Sequence, residues 1–234
     1  MAKRTIFYDT ETTGVKPGRD RVIEIAAYDP GSEPGQEKKF CTLTHPEMPI
    51  PGESSAISGI TDEMVAGAPM IREALSSFLD FCSGEAVLIA HNNDAFDKLF
   101  LEAECRRAGL QMPEWIFIDS LKWARKYRPD LPRHTLQSLR EAYGIEANQA
   151  HRALDDCIVL YQVFSKMVDD LSIEQILKLL STTPEIVRMP FGKHAGKKLT
   201  EVPKDYIDWL ARSGALDKPD NTLLRETLEK LYPK

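Results

Sequence analysis

Thr5-Ile6-Phe7-Tyr8-Asp9-Thr10-Glu11-Thr12-Thr13-Gly14 begins as an apolar, β-prone run and ends in a polar turn. In a strand, side chains at i and i+2 leave the same face, so Asp9 and Glu11 point together. Two carboxylates side by side repel each other and lose solvation, a cost that a divalent cation between them relieves. A bare Asp-x-Glu reads as a strand end with two solvated acids. The reading of the whole chain therefore turns on whether later segments bring further ligands to this pair.

At 234 residues the chain can bury one substantial core, or one core plus a small appended module. A 42% hydrophobic and 28% charged composition is that of a soluble globular protein and excludes a low-complexity or collagen-like chain. No apolar run approaches the roughly 18 residues of a membrane-spanning helix, so no membrane association is expected. Met1-Ala2-Lys3-Arg4 leads straight into a strand-like run, unlike a secretion signal. Cys41, Cys82, Cys105 and Cys157 are scattered and form no CxxC pair, which argues against a zinc or redox motif. Isolated reduced thiols fit a cytoplasmic protein. The net charge of −6 counts mildly against a broad nucleic-acid surface, although local patches set phosphate affinity. Two such clusters are present, one of Lys122, Arg125, Lys126, Arg128 and Arg133, the other of Lys193, Lys197 and Lys198. Each reads first as a solvated face.

Downstream of the opening strand, residues 20–28 read as a second strand and residues 39–44 as a third, with Pro-Gly turns between, giving an antiparallel meander. Thr61 reads as a helix N-cap, and residues 71–82 are apolar at helical spacing. Ala86-Val87-Leu88-Ile89-Ala90 is wholly apolar, as in a central strand covered on both faces. A helix over residues 95–108 closes at Gly109, and residues 115–119 form another strand with Asp119 or Ser120 capping the next helix. Further helices open at His134 and Leu154. Strands alternating with helices after a meander predict a mixed sheet with helices on its faces.

Asp97 lies one turn into the helix after the buried strand, at the sheet end where sites usually form. Asp94 competes with it as a first-turn acid. Asp155 and Asp156 are adjacent, so helix phase must choose between them. Steps of three and four from Asp156 meet Leu160, Val163 and Met167; from Asp155 they meet Val159, Gln162 and Lys166. Asp156 is therefore the carboxylate at the inner face. His151 lies five residues earlier, about 140° away on a continuous helix, and reaches the same centre only from the preceding loop. A His beside a metal cluster can act as a base near neutral pH.

Asp9-Thr10-Glu11-Thr12-Thr13-Gly14, His91-Asn92-x-x-x-Phe96-Asp97 and His151-x-x-x-x-Asp156 together resemble, in order and spacing, the three motifs of the DnaQ-like DEDD 3′–5′ exonucleases, histidine subtype. Ile118-Asp119-Ser120-Leu121 and His134-x-Leu136-x-x-Leu139 are similar to that family too. The resemblance implies an α/β, ribonuclease H-like mixed β-sheet flanked by helices. It implies that Asp9, Glu11, Asp97 and Asp156 hold two Mg²⁺ or Mn²⁺ ions, with His151 as general base. It also implies substrate contacts from Thr10, Thr12, His91, Asn92 and Phe96, although as a residue Phe96 reads first as core. Ser58 stands where many relatives carry His near the terminal nucleotide, which leaves the substrate contacts there open.

The helical pattern ends near Leu180. Met189-Pro190-Phe191-Gly192-Lys193-His194-Ala195-Gly196-Lys197-Lys198-Leu199 resembles a hairpin, followed by helices at Tyr206 and over residues 223–231. A P-loop reading fails, because the glycine spacing is one residue short and no Ser or Thr follows Lys197. The Phe-Gly-Lys pattern followed by Tyr-x-x-Trp-Leu resembles the tail of exonuclease X-type enzymes. The expected organisation is an exonuclease domain over 1–170, a helical linker over 171–184 and a small hairpin-plus-helices module over 185–234. The expected activity is 3′–5′ hydrolysis of DNA, most simply a single-stranded 3′ end, to nucleoside 5′-monophosphates in DNA repair. The alternatives are a polymerase proofreading subunit and an RNA-trimming enzyme. A polymerase or repair partner and a homodimer stay open. All five motif residues are present, which argues against a catalytically dead binding module.

Overall fold

The structure, a computed structural model, describes residues 4–147, 152–182, 186–217 and 221–232. β1 (Arg4–Thr12) pairs antiparallel with β2 (Val22–Asp29), which pairs antiparallel with β3 (Lys38–Leu43), forming the expected meander. β4 (Ala86–Ala90) and β5 (Ile116–Asp119) add in parallel on the other side of β1, giving the order β3-β2-β1-β4-β5. Every residue of β4 is buried, since a central strand in a helix-covered sheet has no face left for water.

The helices are α1 (Gly52–Ser58), α2 (Asp62–Val65), α3 (Ile71–Phe81), α4 (Asp97–Ala108), α5 (Ser120–Tyr127), α6 (Leu136–Ala142), α7 (Ala153–Val168) and α8 (Ile173–Ser181). The two-residue period of the strands sorts them into layers. Ile6, Tyr8, Ile25 and Leu88 pack against Leu75 and Phe78 of α3 and Phe100 and Leu101 of α4. Phe7, Ala26, Val87 and Ile89 pack against Trp123 of α5, Cys157, Leu160 and Phe164 of α7, and Ile176 of α8. A slip of one residue in β1 would exchange the two faces, so the register that buries Phe7 also aims Asp9 and Glu11 at the α7 side.

Some local expectations shift. The helix expected from residue 95 begins at Asp97, after a tight 3₁₀ turn over Asn93–Ala95 that follows Asn92 in the left-handed region at φ 68°. Thr61 precedes α2, but its side chain makes no capping bond. Asp119 is the residue that caps α5, accepting from the backbone amides of Leu121 and Lys122. The stretch expected as a helical linker does hold a helix, α8, whose Ile176 is buried with Cys157 and Leu160 of α7.

Contacts between Cα atoms divide the chain into two units, Met1–Leu180 and Ser181–Lys234. The second unit has its own core, in which α9 (Lys204–Arg212) and α10 (Thr222–Leu231) bury Ile207, Leu210, Leu224 and Leu228 against Met189, Leu199 and Val202. The expected hairpin is present: around an antiparallel bridge between Arg188 and Lys198, the Met189 amide donates to the Lys197 carbonyl, the Gly196 amide to the Met189 carbonyl and the Leu199 amide to the Val187 carbonyl. Gly192 and Gly196 sit at positive φ in the turn between its arms. Among the described residues no helix is long and apolar enough to cross a membrane.

Phe78 shows what holds the first layer. Its ring is fully buried and lies 6.0 Å from Tyr8, 6.0 Å from Phe40 and 6.2 Å from Trp115, centroid to centroid. Truncating such a side chain removes buried apolar area and leaves a cavity. Phe78→Ala is expected to lower stability by about 3–5 kcal/mol, read from urea unfolding.

Candidate metal centre

The centre forms at the end of β1. Asp9 and Glu11 leave the face covered by α7, and the first turn of α7 brings Asp156, which is buried. Carboxylate oxygens of Asp9, Glu11 and Asp156 lie within 4.8 Å of one another. A β-bulge between Glu11 and Thr12 ends regular pairing there, and bulges of this kind commonly re-aim side chains beside sites. Helix phase chooses Asp156 as expected: Leu160 and Val163 on its stripe are buried, and Asp155 is not among the three converging acids. One detail differs. Val159, on the Asp155 stripe, is buried with Leu139 of α6 and Ala124 of α5, between a half-buried Asp155 and an exposed Gln162.

Asp97 arrives from the opposite layer. It is buried at the start of α4, and its Oδ1 accepts from the Thr10 amide at 3.0 Å and the Thr10 hydroxyl at 2.8 Å. Thr10 points to the α4 side because it alternates with Asp9 and Glu11 along β1. Asp97 thus borders the three-acid cluster without belonging to it. Its competitor Asp94 is exposed and ion-paired with Lys122.

Crowding sets the electrostatics. Burial, followed by the charges of Asp97, Glu11, Asp156 and Glu24, holds the Asp9 carboxyl well above the usual carboxylate range. Burial, then Asp156, Glu24 and Asp97, pushes Glu11 up to about 8, with Arg152 opposing. Burial pushes Asp97 up to about 7 despite the two bonds from Thr10. So much buried carboxylate, all of it oxygen, suits a hard divalent cation such as Mg²⁺ or Mn²⁺, and the residues present fit that group.

The remaining predicted residues sort differently. The Thr12 hydroxyl donates to the Gly14 carbonyl at 2.6 Å, and the Thr10 hydroxyl donates to Asp97. His91 uses both ring nitrogens inside the protein, with Nε2 at 2.8 Å from the His134 carbonyl and Nδ1 at 2.9 Å from Ser120 Oγ. A carbonyl only accepts, so Nε2 carries the proton. Burial lowers the His91 pKa and keeps the ring neutral. Phe96 packs on the core beside Phe100, 4.9 Å between centroids, while the Asn92 amide donates to Asp119 at 3.1 Å. His151 lies outside the described residues.

Two residues beside the site, Glu24 and Gln137, escaped the sequence reading, and a third, Asp119, was named there only as a helix cap and as part of a motif. Glu24 of β2, opposite Glu11, is buried; its carboxylate accepts from Arg152 at 2.9 Å and from the Ala153 amide at 3.0 Å, tying down the N-terminus of α7. A lone acid inside Val22-Ile23-Glu24-Ile25-Ala26-Ala27 was the available signal, because a buried carboxylate needs partners. Gln137 of α6 donates to Asp156 at 3.3 Å. Asp119 accepts from the amides of Asn92 and Asp94 as well as capping α5, and so holds the loop that leads to Asp97.

Comparison with known proteins places this arrangement in a class. The family model described as "Exonuclease" matches residues 6–164. The chain belongs to that family, the DnaQ-like 3′–5′ exonucleases with a ribonuclease H-like fold, and is a nuclease hydrolase. Among relatives, it is 39% identical over 163 residues to DNA polymerase III subunit epsilon of Treponema pallidum (strain Nichols), covering 69% of this chain and 74% of that one. It is 33% identical over 183 residues to Exonuclease DPD1, chloroplastic/mitochondrial, of Arabidopsis thaliana, covering 72% of this chain and 57% of that one. It spans only 12% of the PolC-type DNA polymerase III of Caldanaerobacter subterraneus, at 33% identity over 71% of this chain. Solved structures agree on the fold. Exonuclease X in complex with 5′ overhanging duplex DNA matches 75% of this chain and 99% of its own at a TM-score of 0.57 and 23% identity. E. coli exonuclease I in complex with a dT13 oligonucleotide matches 76% of this chain and 43% of its own at 0.62 and 20% identity. A second family model, described as "Putative quorum-sensing-regulated virulence factor", matches residues 174–230.

Two outcomes follow from this geometry. A carboxyl whose folded pKa is raised binds its proton more tightly when folded, so stability is greatest below the unfolded value and falls as pH rises through the folded one. For Asp97 and Glu11 that window runs from their ordinary 3.8 and 4.5 to about 7 and about 8. In EDTA the melting temperature is expected to fall across that window. Added Mg²⁺ should raise it more at pH 8 than at pH 6, because ligands bind deprotonated, as thermal unfolding at both pH values would read. Arg152→Met strands the buried Glu24 carboxylate and is expected to cost about 1.5–3 kcal/mol, measured in urea.

Proposed function

We propose that the chain is a metal-dependent 3′–5′ exodeoxyribonuclease that removes nucleoside 5′-monophosphates from DNA 3′ ends, in DNA repair. The observation that carries this reading is the convergence of Asp9, Glu11 and Asp156 within 4.8 Å, with buried Asp97 alongside. Asp9, Glu11, Asp156 and Asp97 would hold the ions, two of Mg²⁺ or Mn²⁺. Bound there, the pair supplies Lewis acidity, lowering the pKa of water and balancing charge on the attacking and leaving oxygens. His151 takes the proton of the attacking water at a ring nitrogen. The water oxygen bonds to phosphorus as the bond from phosphorus to the 3′-oxygen breaks, and that oxygen keeps the electron pair and takes a proton from solvent water. Backbone around residues 10–12 lies against the terminal nucleotide. The four free cysteines, three of them buried, fit a reducing, cytoplasmic setting.

The 39% identity to an epsilon subunit, over 74% of its length, favours a second reading, that of a proofreading partner of a polymerase. It uses the same centre and differs in whether a polymerase binds.

The test digests 3′-labelled single-stranded DNA, duplex DNA and RNA with Mg²⁺ or with EDTA. Mg²⁺-dependent release of mononucleotides from DNA is expected, and preference for RNA would replace the DNA assignment. Asp9→Ala and Asp156→Ala are expected to abolish digestion while Asp155→Ala keeps it. His151→Ala is expected to keep Mg²⁺ binding and lose about 10²–10⁴-fold in turnover, from single-turnover kinetics.

A further inference from the structure

The second unit carries a feature that its apolar core does not explain. α9 buries Ile207 and Leu210, yet Trp209 on the same helix is 53% exposed. Tyr206, one turn earlier, stacks on it with centroids 5.5 Å apart and planes at 24°. His194, from the turn before Lys198, meets Tyr206 edge-on at 4.6 Å. The turn is shaped for this contact. Gly192 is at φ 79°, a Cβ there would lie 2.3 Å from the Tyr206 hydroxyl oxygen, and the Lys193 amide donates to that oxygen at 3.2 Å. Three rings therefore form a row, with Trp209 open to water at its end.

Cations border the row. Residues 186–200 contain Arg188, Lys193, Lys197 and Lys198 and no acid. Lys197 and Lys193 both lie close enough to His194 to act on its charge. Among the described residues Lys193, Lys197 and Lys198 form no ion pair. The nearest acids along the described chain are Glu201, just after the turn, and Asp205 and Asp208 on α9 itself, so the positive charge lies on the turn, a strip and not a broad face.

We propose that this strip is a binding site for single-stranded nucleic acid, with Trp209 stacking on a base and Lys193 and Lys197 taking adjacent phosphates. A flat ring open on one side suits an unpaired base, because every base offers a π face whereas duplex bases are already stacked on each other. Narrow charge beside the ring matches one phosphate backbone. The proposal rests on the nuclease reading only in that such an enzyme meets a strand; its residues belong to the second unit and the carboxylates to the first.

The experiment uses the full chain in EDTA and a labelled oligodeoxythymidylate. Trp209→Ala is expected to weaken binding by about tenfold, and Trp209→Phe to retain most of it. Lys193→Ala with Lys197→Ala should flatten the salt dependence by a log–log slope of about 1.4, two phosphates on a single strand. A blunt duplex and a mononucleotide should bind more weakly and ignore Trp209→Ala. Wild-type affinity in folded Trp209→Ala overturns the proposal, as does an unchanged salt slope in the lysine variant, whose exposed sites do not threaten folding. Binding only to an acidic polypeptide, and not to the oligonucleotide, overturns it in favour of a protein partner. Mg²⁺-dependent hydrolysis of a dinucleotide is read in parallel. Hydrolysis with Trp209-independent binding removes the platform alone, and Trp209-dependent binding without hydrolysis removes the nuclease reading alone.

Discussion

Carboxylate repulsion at the end of β1 is the constraint around which the first unit is arranged. Asp9, Glu11 and Asp156 crowd within 4.8 Å, with Asp97 and Glu24 close enough to act on their charge. No fold gathers this much negative charge in a low-dielectric place without something opposing it. Inside the chain the opposition is partial: Thr10 gives Asp97 two hydrogen bonds, and Arg152 sits against Glu24. Protonation or a cation must supply the remainder. The same energy that burdens the apo fold is therefore the energy with which the site would take up a divalent ion.

Each acid is delivered by a different physical device. Strand alternation carries Asp9 and Glu11, and the burial of Phe7 fixes which face they use. Asp156 depends on the entry of α7, which Glu24 holds by bonding Arg152 and the Ala153 amide. Asp97 depends on a loop whose amides converge on Asp119, and on Thr10 reaching across from the neighbouring strand. His91 belongs to this scaffolding: with both nitrogens bonded internally it links Ser120 and the His134 carbonyl, joining the loop to the segment before α6. A motif residue thus serves the site by placing others.

Much of this was legible in the chain. The meander, the buried central strand and the choice of Asp156 over Asp155 all follow from periodicity, because burial of one face repeats at two residues in a strand and 3.6 in a helix. Gly109 closed α4 as read, since only a left-handed residue ends the helix there at φ 62°. The hairpin of the second unit is legible too, since two glycines at positive φ turn the chain between arms whose backbones bond on either side of the Arg188–Lys198 bridge.

By itself the sequence determined which residues are acidic, which of them share a face, and, through three ordered motifs, the family to which the chain belongs. Only the tertiary structure decided that Glu24 and Gln137 enter the site, that Asp94 turns outward to Lys122, and that Thr12 and His91 bond internally. It also set His194 against Tyr206, and Tyr206 against Trp209, in the second unit. The reason is the same for Glu24, Gln137, Asp94 and His91. Periodicity reports which side of an element a residue occupies, whereas hydrogen-bond partners 19 to 129 positions apart along the chain are fixed only when the layers close.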